Sequence, residues 1–140
     1  MRQFEIVIKK SKINNFGAFA VTDISENSFL IEYIGEKISN EESQKREIIN
    51  DKEGVTYIFC LDEQNFIDGA IGGNESRFIN HSCNPNCKIV RKKGKIFFYS
   101  KRKIKKGEEL TIDYAYDKNS KKEICNCGSE NCRGFINELE

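Results

Sequence analysis

The sequence predicts a mainly β fold in a single domain, with one clear helix. A chain of 140 residues has room for one domain of ordinary size. Short strand-like segments recur along it, and only one segment has the start signal and composition of a helix. Hydrophobic residues make up 38% of the chain, with 10 Phe and 5 Tyr, which is enough for a compact core.

Strands are predicted in order from the N-terminus. Phe4, Ile6 and Ile8 alternate with polar residues apart from Val7, which predicts an N-terminal strand. Further strands are predicted at 18–21, 29–34, 55–61 and 64–67. The segments CKIVR and KIFFYS flank the Lys92-Lys93-Gly94 turn and together predict a β-hairpin.

One helix is predicted after the third strand. Ser39 and Glu42 have the spacing of a capping box, and a run of helix-forming residues follows over 41–49. The last segment, 117–140, differs in character because it is polar, contains Gly and is rich in Cys. We expect it to be a small module that something other than a hydrophobic core holds together.

The overall charge and hydropathy exclude several classes of protein. The formal net charge is +1, which argues against a protein that coats nucleic acid. No apolar run approaches the ~20 residues that span a bilayer, so no membrane partner is expected. The N-terminus lacks the apolar region of a signal peptide. A reducing intracellular compartment is therefore expected, and there clustered Cys bind metal more often than they form disulfides.

The charge is nevertheless unevenly distributed. Residues 23–68 carry 12 acidic and 4 basic side chains, a net of −8, and residues 88–106 carry 10 basic and no acidic ones. These segments are either solvated faces of opposite sign or, for the acidic one, a docking surface for a cationic substrate. The basic segment, with Phe97, Phe98 and Tyr99 beside its charges, is also a candidate for contact with DNA.

Three cysteines of the tail have the spacing of metal ligands. Cys125, Cys127 and Cys132 form a C-x-C-x4-C pattern, and Gly128 eases the turn between them. A structural zinc requires four ligands in a closed tetrahedron, so the fourth must come from elsewhere. The candidates are Cys60, Cys83, Cys87 and His81. Reduced thiols without metal, or a disulfide pair, are the alternatives.

The segment 76–87 contains the only His and the only Pro of the chain, together with two Cys. Its Asn and Ser residues favour turns and local hydrogen bonds. Taken alone, His81 is more often structural than catalytic. A Ser-His-Asp triad is disfavoured because no GxSxG motif is present, and a Cys nucleophile with His81 as base competes with the metal-ligand interpretation of the same Cys.

Three motifs in register resemble those of the SET-domain protein lysine methyltransferases that carry a post-SET zinc module. They are RFINHSCNPNC at 77–87, ELTIDYAYD at 109–117 and CNCGSENCRGF at 125–135. The resemblance covers about 4–137. It implies a mainly β SET-domain fold of several small sheets, with one or two short helices and a C-terminal pseudoknot that brings 80–83 against 110–114. It also implies a SET domain over 1–117 and a post-SET module over 118–140.

The family resemblance implies a cofactor and a metal. S-adenosylmethionine is expected to lie against the turn Asn14-Asn15-Phe16-Gly17 and against Asn80 and His81, with His81 acting largely through its backbone. Arg77 is expected close by, where it helps with the cofactor or the fold. Cys83 is implied as the fourth ligand of a structural zinc. The zinc ligands are then Cys83, Cys125, Cys127 and Cys132, which leaves Cys60 and Cys87 as free thiols.

The resemblance also implies the catalytic residues. Tyr114 matches the catalytic tyrosine, Tyr57 a second channel tyrosine and Tyr33 a third wall residue of the lysine channel. Methyl transfer needs alignment and electrostatics rather than a covalent intermediate. Ile112 stands where the family often has Phe or Tyr. Because Ile is smaller and has no hydroxyl, di- or trimethylation is expected.

The function implied is methyl transfer from S-adenosylmethionine to a lysine of a basic protein or peptide. A histone tail is the first expectation, with nucleosomal DNA contacted through 88–106. The alternatives are a non-histone target, or an inactive SET scaffold that binds a peptide or partner. The expected compartment is the nucleus and its chromatin for a eukaryotic or host-directed enzyme, and the cytoplasm for a prokaryotic one.

Overall fold

The computed structural model describes residues 4–53, 57–115 and 123–137, and these form short strands around one α-helix. In chain order, the first elements are β1 (Ile6–Lys10), β2 (Phe16–Ala20), β3 (Phe29–Tyr33), β4 (Glu36–Ser39), α1 (Asn40–Glu53), β5 (Ile58–Cys60) and β6 (Asn65–Asp68). A 3₁₀ helix (Glu75–Phe78), β7 (Asn80–His81), β8 (Cys87–Lys92), β9 (Lys95–Ser100) and β10 (Thr111–Ile112) follow. The mainly β fold class is confirmed.

Within the described residues, the strands pair into four small sheets rather than one large one. β1 pairs with β2, and two three-stranded antiparallel sheets have the orders β4-β6-β5 and β3-β9-β8. The fourth sheet is the parallel pair β7 and β10, in which Asn80 lies opposite Thr111 and His81 opposite Ile112. This pairing confirms the expected contact between 80–83 and 110–114.

Most predicted elements are present with shifted ends. The predicted N-terminal strand is present as β1, in which Ile6 to Lys10 pair along the full length of β2. The hairpin is confirmed, with Lys93 and Gly94 both at positive φ in its two-residue turn. The helix starts as predicted, since the Glu42 amide donates to Ser39 Oγ at 3.1 Å, but it extends to 53. The short strand β4 was not predicted.

The hydrophobic core lies between the sheets and directly under the site. Several of its members are 0–1% exposed and come from segments that are far apart in the chain: Leu30, Tyr33, Ile79, Ile96, Phe98, Leu110 and Ile112. Helix α1 is attached at the periphery through Arg46, which bonds Glu42, Glu36 and the buried Asp68. No described helix is long and apolar enough to cross a bilayer.

Candidate active site and metal centre

Segment 79–83 is the hub of the site. It begins after the 3₁₀ helix, which Asn74 caps by accepting from the Ser76 amide at 3.0 Å while its own amide group donates to the Glu32 carbonyl on β3. The segment then forms β7 and pairs with β10. Three sets of predicted residues therefore meet at segment 79–83. They are Tyr114, the turn 14–17 and the cysteines of the tail.

Tyr114 contacts segment 79–83 through both its backbone amide and its side-chain hydroxyl. Its hydroxyl donates to the Ile79 carbonyl at 2.6 Å, and its amide N–H donates to His81 Nδ1 at 3.0 Å. The ring packs edge-on against Phe59, with centroids 5.4 Å apart. These contacts place a hydroxyl and a backbone carbonyl side by side, an arrangement that can orient an amine.

Tyr33 and Tyr57 share one hydrogen-bonded junction. The Tyr33 hydroxyl donates to the Tyr57 carbonyl, which also accepts from the Gly69 amide at 2.8 Å. Gly69 has to be glycine there, because an added Cβ would lie 2.5 Å from the Tyr33 hydroxyl. Tyr33 is fully buried, and its ring packs against the rings of Phe59 and Phe98. It therefore helps to fix the position of these two rings. Sequence reasoning missed Gly69 and Phe59.

Ile112 and Tyr114 line one cavity of about 300 Å³ among the described residues. Ile112 is 1% exposed and lies in β10, two residues before Tyr114. The remaining walls are a mixture of apolar and cationic residues: Pro85, Cys87, Lys88, Ile89, Arg91 and Lys101, with Asp113 and Ala115 beside Tyr114. The structure thus brings Ile112 and the predicted catalytic tyrosine to the same space.

The turn 14–17 is tied to the hub by the side chain of Asn80. Asn80 Nδ2 lies 2.9 Å from the Phe16 carbonyl and 3.4 Å from the Asn14 carbonyl. Asn15 adopts a positive φ of 23°, the conformation that Asn tolerates better than most residues. The Phe16 ring is half exposed. The structure therefore brings the predicted turn and Asn80 together.

Glu109, which was not predicted from the sequence, lies beside Asn80 and Ser11. These residues and the 14–17 turn form what we call the Asn80 corner. Its carboxylate accepts from Ser11 Oγ at 2.8 Å and from Asn80 Nδ2 at 2.8 Å. It also explains Gly17, because a Cβ there would lie 2.2 Å from Glu109 Oε2. No Lys or Arg among the described residues pairs with Glu109. Its only signal in the sequence was its place in the ELTIDY motif.

The corner fits a cofactor that carries an ammonium group. Asn80 Nδ2 faces four acceptors, namely Ser11 Oγ, the Asn14 and Phe16 carbonyls and Glu109 Oε2, but an amide group supplies only two protons. The surplus of acceptors, beside a carboxylate that no described Lys or Arg neutralises, suits a cation that brings several donors. The α-ammonium group of S-adenosylmethionine is such a cation.

Arg77 packs against two aromatic rings, those of Tyr57 and Phe78. Its guanidinium stands 5.8 Å from the centroid of the Tyr57 ring and 4.9 Å from that of Phe78, both within the range of cation–π contacts. Its Nε is buried and makes no hydrogen bond among the described residues.

The four predicted cysteines converge on one point. The Sγ atoms of Cys83, Cys125, Cys127 and Cys132 all lie within 4.8 Å of one another. Cys83 and Cys125 are 3.8 Å apart, close to the ~3.8 Å that separates two sulfurs bonded at ~2.3 Å to a tetrahedral zinc. Cys60 is exposed and Cys87 buried, both outside the cluster, as expected. The donor set and the spacing fit a structural zinc held by four thiolates.

Backbone amides prepare these sulfurs to carry negative charge. The N–H groups of Arg133, Cys127 and Gly134 donate to Cys83, Cys125 and Cys132 at 3.3–3.4 Å. Burial raises the pKa of Cys83 and of Cys125. At Cys127, burial acts in the same direction, but hydrogen bonds from the Cys83 amide and Ser129 outweigh it and lower its pKa to about 5. A cation bound to all four sulfurs would stabilise the thiolate form of each of them, including Cys83 and Cys125, whose pKa burial raises.

The side chain of His81 is buried inside the site. Its side chain is 3% exposed and lies between the Tyr114 amide and the Cys83 sulfur, 3.5 Å from Nε2. Burial lowers the pKa of His81 to about 4. The charge of Asp113 opposes this shift and the charge of Arg133 adds to it, and the ring is neutral at physiological pH. The side chain therefore joins the tyrosine to the cysteines, and the backbone role of His81 toward the cofactor stays a prediction.

Comparison with known proteins agrees with this geometry. A family model described as SET domain matches residues 15–115. Histone-lysine N-methyltransferase, H3 lysine-4 specific, of Schizosaccharomyces pombe is 42% identical over 97% of this chain and 15% of its own. Histone-lysine N-methyltransferase trr of Drosophila melanogaster and SETD1B of Homo sapiens are each 42% identical over 94% and 97% of this chain, but over only 6% and 7% of theirs. The chain thus spans a small part of these relatives. It belongs to the SET-domain family.

Proposed function

We propose that this domain is a protein-lysine N-methyltransferase that uses S-adenosylmethionine. The observation that carries the proposal is the hub, where segment 79–83 contacts the Tyr114 hydroxyl, the 14–17 turn and the cysteine cluster at once. The relatives named as histone-lysine N-methyltransferases support the same activity. An inactive scaffold is not favoured, because the residues that the chemistry needs are present and assembled.

The chain's own residues account for binding and alignment. Bound S-adenosylmethionine supplies an electrophilic methyl group on a sulfonium. Glu109 and the Asn14 and Phe16 carbonyls, which Asn80 holds together, would accept from the ammonium end. The Tyr114 hydroxyl and the Ile79 carbonyl orient the substrate amine. The apolar and the cationic side chains around Tyr114 both disfavour the protonated lysine and so lower its pKa, which frees the lone pair for in-line attack.

The second element of the proposal is a structural zinc on Cys83, Cys125, Cys127 and Cys132. It ties the tail to the hub, because Cys83 belongs to segment 79–83 and the other three ligands to the tail. We propose that the SET domain spans 1–117 and the zinc module 118–140. In this arrangement the tail closes one side of the site only while the metal is bound.

The proposed substrate is a basic histone tail. The relative from Schizosaccharomyces pombe is named as specific for lysine 4 of histone H3, so an H3 peptide that contains this lysine is the first candidate. The acidic segment 23–68, with 12 acidic and 4 basic residues, favours a cationic partner. A chromatin location follows from this substrate. A non-histone basic protein is the alternative outcome of the same assay.

We also propose that the outer face of the β3-β9-β8 sheet contacts nucleosomal DNA beside the substrate tail. Phe29 packs edge-on against Phe97 and Tyr99 on this face, and Lys88, Lys92 and Lys95 are exposed around them. Phosphate contacts of this kind give binding that weakens steeply with salt. Lys92→Glu with Lys95→Glu should weaken methylation of nucleosomes but leave that of free H3 peptide unchanged. Equal effects on both substrates would contradict the DNA contact.

The activity is tested with zinc-loaded protein, tritiated S-adenosylmethionine and core histones, next to an H3 tail peptide. Transfer of label to a histone, with the methyl group located on a lysine by mass spectrometry, supports the proposal. Tyr114→Phe is the matched control, because it removes one hydroxyl and keeps the ring contact with Phe59. A wild-type protein that binds the cofactor in calorimetry and labels no histone or basic protein would contradict it.

A further inference from the structure

The side chain of His81 bridges the two functional parts of the molecule. Its Nδ1 faces the Tyr114 amide at 3.0 Å, and its Nε2 faces Cys83 Sγ at 3.5 Å. The ring is 3% exposed and also packs edge-on against the Tyr114 ring, with centroids 5.5 Å apart. One imidazole therefore touches both the proposed catalytic residue and a proposed zinc ligand.

The contacts fix where the proton of the ring lies. A backbone N–H can only donate, so Nδ1 must offer its lone pair to the Tyr114 amide. The proton of a neutral ring is then on Nε2, which points it at Cys83 Sγ. Asp113 Oδ1 lies 3.5 Å from Nδ1, but the Asp113 carboxylate already accepts from Arg133 and from the Ala115 amide. It therefore does not need a proton from the ring.

We propose that His81 is a positioning residue that couples occupancy of the metal centre to the placement of Tyr114. A zinc-bound Cys83 is a thiolate, which is the better acceptor for the Nε2 proton. That bond fixes the ring, and the fixed Nδ1 holds the Tyr114 backbone. Loss of the metal loosens the ring and the tyrosine together. The proposal rests on the proposed zinc site and methyl transfer, but it names a role that neither requires.

Two substitutions separate the halves of the bridge. His81→Asn leaves an amide oxygen near the position of Nδ1 and has no donor at the position of Nε2. His81→Gln reaches that position with an amide donor and gives up the acceptor for Tyr114. Both replace the ring by a neutral polar group, so a purely structural loss of packing should affect them alike.

The first measurement is the rate of zinc release to a coloured chelator. We expect His81→Asn to release zinc about tenfold or more faster than the wild type, and His81→Gln to stay within about twofold of it. Cys60→Ser is the control, because Cys60 lies outside the cluster and should not change the rate. Equal release by both His81 variants would overturn the bridge to Cys83.

The second measurement is hydrogen exchange at the Tyr114 amide by NMR, which needs neither activity nor a variant. Removal of zinc from the wild-type protein should speed this exchange about tenfold or more relative to that of the Ile104 amide, which is bonded to Ile24 in the core. Unchanged relative exchange would overturn the coupling. A protein that shows both effects but transfers no methyl group would contradict the proposed function and leave the bridge supported.

Discussion

The Arg133 guanidinium grips the Asp113 carboxylate through two hydrogen bonds, Nη1 to Oδ2 at 2.8 Å and Nη2 to Oδ1 at 3.1 Å. Asp113 directly precedes Tyr114, and Arg133 lies in the C-terminal tail, where it also bonds the carbonyls of Ile136 and Asn137. The Arg133 amide donates to Cys83. One residue of the tail thus holds the tyrosine segment and a proposed metal ligand at the same time.

Replacing Arg133 should release the tail from the site. Arg133→Ala removes the paired bonds, so we expect about 1–2 kcal/mol less stability for tail docking and about tenfold lower methyl transfer. Arg133→Lys keeps the charge but not the paired geometry and should be intermediate. Limited proteolysis of the tail, followed by mass spectrometry, measures the docking. Tails equally resistant in all three proteins would argue against this role.

Removing the distant zinc ligand should loosen the tail and lower activity. Loss of an outer-shell partner alone weakens metal binding about 10–100-fold, so Cys83→Ser should weaken zinc binding at least about 100-fold. Zinc content by mass spectrometry and chelator titration measure this effect. Cys60→Ser serves as the matched control, since Cys60 is exposed and outside the cluster. A Cys83→Ser protein that is fully active and replete with zinc would refute the ligand assignment.

Glu109 should set the affinity for the cofactor. Glu109→Gln keeps the shape but removes the charge beside Asn80, and we expect the Kd for S-adenosylmethionine to rise roughly tenfold. Isothermal calorimetry with zinc-loaded protein gives the Kd. Sinefungin, which retains the ammonium group, should show the same loss, and methylthioadenosine, which lacks that group, should show none. Equal losses for both ligands would indicate a general change of the pocket instead.

Ile112 should permit more than one methyl transfer to the same lysine. Mass spectrometry of an extended reaction is expected to show products at +28 or +42 Da, which correspond to two or three methyl groups. Ile112→Tyr should shift the product toward +14 Da, although overpacking at this buried position costs about 1–3 kcal/mol. A wild-type reaction that stops at +14 Da, which is one methyl group, would contradict the prediction.

Cys87 should make the fold sensitive to alkali. Burial raises the pKa of its thiol from the ordinary value of 9.0 to about 12. The folded state therefore keeps a proton that the unfolded chain loses above pH 9, so this stabilisation is complete below pH 9 and is lost as the pH rises toward 12. The expected slope reaches about 1.4 kcal/mol per pH unit. The free energy of unfolding in urea is measured between pH 8 and 11 for the wild type and for Cys87→Ala. The wild type should lose stability with rising pH more steeply than the variant, and equal slopes would show that the thiol ionises normally.

The strands and three members of the cysteine cluster were the parts that could be predicted from local sequence patterns. Alternating residues indicated β1, and the turn at Lys93-Gly94 indicated the hairpin, because both signals are local. β4 was missed because its four residues, Glu36–Ser39, include only one buried side chain. The C-x-C-x4-C spacing indicated three zinc ligands, but spacing alone left four candidates for the fourth. Only the resemblance to a family selected Cys83.

The sequence by itself determined which residues are candidates for the chemistry: a tyrosine after an aspartate, a histidine next to an asparagine, and a cluster of cysteines. The tertiary structure decided which of them meet. The parallel pairing of β7 with β10 brings Tyr114 within hydrogen-bond distance of His81, 33 residues earlier, and sets the direction of its ring. Glu109 beside Gly17 and Arg133 on Asp113 arise in the same way. No local pattern encodes such pairs, because each depends on a sheet register and a chain crossing that only the folded core fixes.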